Sequence, residues 1–425
     1  MNIPEKLAEL IAHIDQLPIG DYSTPLACGK IIFDTTIIDA IEHLYAQLDA
    51  QTVTDVLLVG IGGSHFGVQA IYDALYADSY SKPPVAFHAL TSIDSFTLSH
   101  FESWYSALLQ NANRRLFTFV VSKTGATLET ASHASLCFEL LKKHQPAEYR
   151  KNLCIITDES SPLWQAAKQE DIPVLTIPKN IGGRYSVFSA AGLGVLRFLK
   201  INFLELLRGA QSVSLDEPTQ TAQQLFDYLN RGYLVHDTFI FMPHYAGVGG
   251  WVRQLIGESL GKEGKGFLPT VSLGSQDLHS VVQCYFAGPQ IAVTTFIVPP
   301  TITPHTAHDC DKVSPHRHPE CFSQKNVSKG PQVPHNFFST CGSLSPSISF
   351  GAIQQAIVQG VQASYTHANK PYFTFELAKD SAYDIGRFMQ YKMLETVYLG
   401  TLMDINPFDQ PQVELYKIET RKLLS

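Results

Sequence analysis

Ser122, Lys123, Thr124 and Thr127 fall within six positions of the stretch "VVSKTGATLET", Val120 to Thr130. An apolar run precedes them and helical spacing follows, so these donors stand where a buried strand hands over to a helix. A helix start supplies unpaired N–H groups and the positive end of a dipole. One cation and three hydroxyls then complete a pocket of donors sized for a phosphate. The stretch contains no G-x-x-x-x-G-K-[ST], so it lacks the usual means of holding a nucleotide with its magnesium. The terminal phosphate of a small molecule fits it better. Ordinary N-capping by serine and threonine is the alternative.

Further candidates follow along the chain. In "VGIGGSHFG" (59–67) a glycine turn containing Gly63 and Ser64 follows a strand and offers backbone amides to an anion or a sugar hydroxyl. It is no dinucleotide fingerprint, because His65 takes the sixth place of G-x-G-x-x-G counted from Gly60. A tight turn shaped only for packing is the other reading. In "NIGGRYSVFSA" (180–190) Arg184 follows paired glycines, and its rigid fork suits an oxyanion as well as a surface ion pair. In "VRQLIGESLGKEG" (252–264) Gln254 and Glu258 are four apart on one helical face, where the carboxylate is either a general base or a solvated side chain. "GSQDLHSVVQ" (274–283) sets His279 beside a polar turn, fit for proton exchange near neutral pH or for a structural role. "FDQPQVELYK" (408–417) places Gln410 and Lys417 seven apart, although Glu414 and Lys417 also form an i, i+3 surface pair.

The elements that must position these residues alternate. Strands are expected at 56–61, 85–90, 117–122, 153–157 and 174–178, with helices near 66–77, 127–143 and 161–169 between them. A second cycle has strands at 238–243, 291–298 and 371–377 and helices at 249–262, 350–368 and 381–403, and a last helix begins near Pro411. Continuous apolar strands separated by helices imply an α/β fold of two αβα sandwiches with mostly parallel sheets. The expected divisions are an N-terminal helical segment (1–45), a first domain (46–210), a second domain (211–403) and a C-terminal helix (404–425), with a linker at "SLDEPTQ" (214–220).

Bulk properties set limits. The 425 residues are 45% hydrophobic and carry a net charge of −8, which offers no broad basic field for nucleic acid yet leaves room for a small anion. No apolar run approaches the roughly 18 residues that span a membrane. The N-terminal stretch is amphipathic with acidic residues, unlike a signal peptide. Seven cysteines, scattered and without CxxC, suggest a reduced, cytoplasmic protein. Segment 299–345 is rich in His and Cys, but its spacing matches no compact zinc pattern, so a polar surface loop and no metal are expected.

In this order, "VGIGGS", "SKTGATLET", "GGRYSVFSA", "GESLGKEG" and "NPFDQPQVELYK" resemble the phosphoglucose isomerase family, whose fold is two sugar-isomerase (SIS) domains. The resemblance runs from Gly60 to Lys417. It implies reversible isomerisation of D-glucose 6-phosphate and D-fructose 6-phosphate through ring opening and a cis-enediolate, a reaction of glycolysis and gluconeogenesis. By the same resemblance, Ser122, Lys123, Thr124 and Thr127 surround the phosphate, with Gly63 and Ser64 lining the pocket. Glu258 moves the proton between C1 and C2, Arg184 meets the negative charge, and Gln254 and Gln410 hold or flank the substrate. His279, arriving from the neighbouring subunit of a homodimer, and Lys417 assist ring opening. No cofactor is implied. The chain departs from the family pattern at His65, Ala126, Gln412 and Tyr416. An isomerase that also takes mannose 6-phosphate and a non-catalytic sugar-phosphate binder are the competing readings.

Overall fold

Successive residues of a strand face opposite ways, and here both faces are apolar, which puts each sheet in the middle of a three-layer sandwich. The computed structural model describes residues 3–76, 82–300, 348–378 and 381–424. Its first sheet contains β1 (Asp55–Val59), β2 (Ala86–Leu90), β3 (Leu116–Val121), β4 (Leu153–Thr157) and β5 (Val174–Thr176). Their order is β2-β1-β3-β4-β5, with every pairing parallel. Leu57 and Val59 of β1 join Val120 and Ile155 in a core with residues of the helices Ser95–Leu109 and Leu128–His144. Val56 and Leu58 face the other way, with Phe117, Phe119 and Ile156.

The second sheet contains β6 (Val235–Ile240), β7 (Leu268–Leu273), β8 (Ala292–Val298) and β9 (Tyr372–Glu376), ordered β7-β6-β8-β9 and again parallel. Phe239, Phe241 and Phe296 fill a core with Val358 and Tyr365 of the helix Phe350–His367. Ile240, Val293 and Ile297 instead join the core that holds Val56 and Leu58. One apolar interior therefore connects the inner faces of both sheets. The helices Phe66–Tyr76, Ala246–Leu260 and Ala382–Leu402 contribute Ile71, Trp251 and Phe388 to it. The helix Phe203–Gln211 crosses Ala382–Leu402 so closely that a Cβ on Gly209 would stand 1.8 Å from the carbonyl oxygen of Tyr383, and one on Gly386 1.9 Å from that of Leu206. Only glycine fits at this crossing.

In each sheet the first strand has the second on one side and the third on the other. The connections leave in opposite directions, and a crevice opens at the carboxyl ends of β1 and β3. The loops 60–64 and 122–127 emerge there.

The expected strands form, with shifts at their ends. The one expected at 238–243 is Val235–Ile240, because the apolar run continues beyond the last pairing into the turn Pro243–Tyr245. The strand β7 lies outside the expectation: Pro269 obscures it, and the proline is tolerated because β7 is an edge. The helix Ser95–Leu109 is also unanticipated; its start is set by the Asp94 carboxylate, which accepts the N–H of Thr97 at 2.8 Å. The expected linker leads directly into a helix, Thr219–Asn230. The expected loop lies, from residue 301 to 345, outside the described residues.

Asp55 opens β1 with its side chain fully buried. Its carboxylate receives Arg114 Nε at 2.7 Å, the Thr54 hydroxyl at 2.7 Å and a contact with His88 Nε2 at 3.0 Å. Burial alone would raise its pKa, but these partners outweigh burial and hold it at about 2. The folded value lies below the unfolded one of about 3.9, so the stabilisation is complete above that pH and is lost as pH falls through the folded value. Arg114→Met is expected to cost about 2 kcal/mol in urea unfolding at neutral pH, modest for a broken buried pair because Arg114 is itself partly solvated. The gap between the two proteins should narrow from about pH 4 downward, and a pH-independent gap would contradict this account.

Candidate active site

Arg184 sits on the short turn Gly183–Tyr185 after β5, anchored by the fully buried Ile181 and Tyr185. The side chain is itself buried, and its polar atoms are spoken for. Nε donates to the Ser259 hydroxyl at 2.7 Å. Nη1 donates to Glu258 Oε2 at 3.2 Å and to Gln410 Oε1 at 2.8 Å. Nη2 donates to the carbonyls of Pro407 at 2.7 Å and Asp409 at 3.0 Å. All the donor directions of the guanidinium are thus engaged.

Glu258 lies in the last turn of the helix Ala246–Leu260. There the negative end of the helix dipole disfavours a carboxylate, and Arg184 offsets it. Gln254, one turn earlier, donates Nε2 to Glu258 Oε1 at 3.0 Å, so both carboxylate oxygens are held while the side chain stays 36% exposed to the crevice. The Gln254 Oε1 is buried and has no hydrogen-bond partner among the described residues, which leaves an acceptor for a substrate hydroxyl.

The glycine loop explains how these groups meet. Gly62 has φ +61, and a Cβ there would come within 2.9 Å of Gln254 Nε2. A Cβ on Gly63 would stand 2.1 Å from the Gly183 carbonyl carbon and 2.4 Å from the Arg184 amide nitrogen. The turn after β1 therefore rests backbone to backbone on the turn that carries Arg184. Gly60 packs against the end of β3, with a Cβ position 3.0 Å from the Val121 carbonyl oxygen. Ser64 and Ser122 are thus on adjacent loops. Ser122 is buried and accepts the Gly125 N–H at 3.2 Å, and the Thr124 hydroxyl accepts that of Ala126 at 3.3 Å. Thr127 occupies the N-cap of Leu128–His144 without its side chain making the capping bond, which leaves the hydroxyl for another acceptor. Burial lowers the Lys123 pKa, with the Asp158 carboxylate opposing the shift. An anion at this loop would relieve that cost.

Gly63, Arg184, Gln254, Glu258 and Gln410 thus form one contiguous cluster beside the donor loop. The hydrogen bonds of the cluster do not include His279 or Lys417. His279 is exposed at the end of the turn Gln276–His279 after β7, and Lys417 pairs with Glu414 at 2.6 Å on the helix Val413–Leu424. Ser259, Tyr185, Lys262, Asn406 and Asp409, to which the sequence alone assigns no role, also belong to the network. The Tyr185 and Ser259 hydroxyls are 2.9 Å apart, and Lys262 Nζ reaches Asp409 Oδ1 at 2.7 Å. Their only sequence signal is position inside the quoted motifs.

The phosphoglucose isomerase family model matches residues 38–223. A glucose-6-phosphate isomerase of Campylobacter jejuni is 29% identical over 405 residues, covering 93% of this chain and 91% of that protein. The chain is thus similar to the phosphoglucose isomerase family. The crystal structure of a hypothetical protein from Thermus thermophilus superposes with a TM-score of 0.80 at 26% identity, covering 100% of this chain and 94% of that one. That of a glucose-6-phosphate isomerase from Chlamydia trachomatis shares the fold, with a TM-score of 0.73 at 18% identity, covering 99% and 84%.

The departures from the family pattern leave the cluster intact. His65 lies within 3.2 Å of Gln69 Oε1, one turn on, and burial lowers its pKa. Ala126, Gln412 and Tyr416 are exposed. The Gly63–Gly183 contact is the least forgiving feature. Gly63→Ala must push the Arg184 amide aside, and turnover is expected to fall about 10²-fold, as for a displacement of roughly 1 Å at a reacting group. Circular dichroism should be retained, and turnover at the wild-type level would show that the contact does not position Arg184.

Proposed function

We propose that this protein is a phosphoglucose isomerase that interconverts D-glucose 6-phosphate and D-fructose 6-phosphate, with Glu258 as the base and Arg184 as the fixed cation. The observation that carries the reading is the 3.2 Å contact between a buried guanidinium and a carboxylate that remains open to the crevice. Aldose–ketose isomerisation removes a proton from the carbon next to a carbonyl and returns it to the neighbouring carbon. One carboxylate can do both if the charge that develops on oxygen meets a preorganised cation. Glu258, held at both oxygens by Gln254 and Arg184, satisfies the first requirement. Arg184 satisfies the second: the substrate oxygen replaces the Gln410 amide as acceptor of Nη1, and the cis-enediolate forms against a guanidinium that does not have to move.

The phosphate is remote from the reacting carbons and is gripped by Ser122, Lys123, Thr124 and Thr127, with Gly63 and Ser64 alongside. Its binding energy orients C1 and C2 over Glu258. His279 and Lys417 open and close the ring. His279 acts from a second copy of the chain in a homodimer, a reading supported by its exposure and by exposed Leu415, Ile418 and Leu423 on the helix Val413–Leu424. A reducing, cytoplasmic setting is consistent with free Cys28, Cys137, Cys154 and Cys284. Among the described residues no helix is long and apolar enough to cross a membrane.

The decisive experiment follows conversion of fructose 6-phosphate to glucose 6-phosphate by wild type and Glu258→Gln. Wild-type turnover is expected, with a loss of about 10³-fold or more in the variant and sugar-phosphate affinity largely kept. A wild type that binds without turning over would overturn the reading, and an active variant would remove Glu258 as the base. Lys123→Met should weaken binding of either sugar phosphate by at least about tenfold, as loss of a charged hydrogen bond requires. Unchanged affinity in titration calorimetry would move the phosphate elsewhere.

A further inference from the structure

Arg184 Nη2 spends both of its protons on the backbone of a single turn, at Pro407 and Asp409. That turn is not part of either sheet and has no strand pairing to fix it. It is held by Lys262, two residues beyond the helix that carries Glu258. Lys262 is 7% exposed and directs Nζ to the Asn406 carbonyl and, at 2.7 Å, to the Asp409 carboxylate. Asn406 closes the knot: its Nδ2 donates to Asp409 Oδ2 at 3.1 Å, and its Oδ1 accepts the Phe408 N–H at 3.0 Å. Two buried cations, Arg184 and Lys262, thus grip one short turn.

We propose that Lys262 and Asp409 are positioning residues for catalysis, acting through Arg184. This rests on the isomerase reading. When substrate displaces Gln410, Nη1 loses one of its two partners, and the guanidinium plane is then fixed by Ser259 and the two carbonyls of the strap. With the Lys262–Asp409 pair intact the strap stays in place and Nη1 remains aimed at the reacting oxygens. Without it, the carbonyls drift, and the guanidinium is free to turn onto Glu258. The pair acts on the charged transition state and leaves the phosphate loop untouched.

The test uses Lys262→Met, Asp409→Asn and the double variant in the full-length protein. Fructose 6-phosphate kinetics are expected to show kcat reduced about 30-fold, with KM within about threefold, the pattern of a displaced catalytic group. Two probes separate positioning from general loosening. Sorbitol 6-phosphate carries the phosphate without charge at the reacting carbons, whereas 6-phosphogluconate adds a carboxylate there. The variants should bind the first within about twofold of wild type and the second about tenfold more weakly. The double variant should be no worse than either single one, because the two residues form one unit. Equal weakening of both probes, unaltered kcat, or additive losses would each overturn the proposal. Asp409→Asn replaces a half-exposed side chain by one of the same shape, so it tests the idea even if Lys262→Met fails to fold. A wild type without turnover would sink the isomerase reading alone, since the probe ratio still reports on the strap.

Discussion

A guanidinium buried with every donor engaged cannot be moved without leaving several acceptors bare, and the geometry of this molecule is organised around that constraint. Arg184 belongs to the first half of the chain, Glu258 and Ser259 to the second, and Pro407, Asp409 and Gln410 to the segment before the last helix. Its hydrogen bonds therefore fix three stretches of chain that the sheets alone would leave independent. The cation therefore lies beside the carboxylate, and the proposed reaction would need no reorganisation of charge in the protein.

The parallel sheets supply the rest. Their strand order brings the loops after β1 and β3 to one crevice, and the shared interior sets the helix bearing Glu258 against the first half. On the proposed assignment, phosphate grip falls to a loop and proton transfer to a helix end at fixed separation. Binding energy from one end of the sugar would then act at the other.

Much of this was legible before the structure. Strands with both faces buried read as continuous apolar runs, and the donor-rich loop and the Gln254–Glu258 spacing carry their own chemical meaning. What escaped had weak local signals. The strand β7 is an edge with a proline, and Ser272 is its one buried residue. The helix Ser95–Leu109 buries a narrow stripe, chiefly Tyr105, Leu108 and Leu109. Lys262, Asp409 and Tyr185 derive their importance from partners far along the chain, which no window of sequence displays. The glycines show the same limit: Gly63 looked like part of a turn, and only the facing Gly183 reveals why a side chain is forbidden.

The crossing of Phe203–Gln211 over Ala382–Leu402 bears on how such chains can be recombined. Each helix supplies a glycine against the other's backbone, so the two positions are one requirement written in two distant places. A hybrid that took its first half from one relative and its second from another would inherit half of that requirement from each parent. Exchange is tolerated only where both parents already agree at the crossing, or where the segment spanning 209 to 386 travels as a single block.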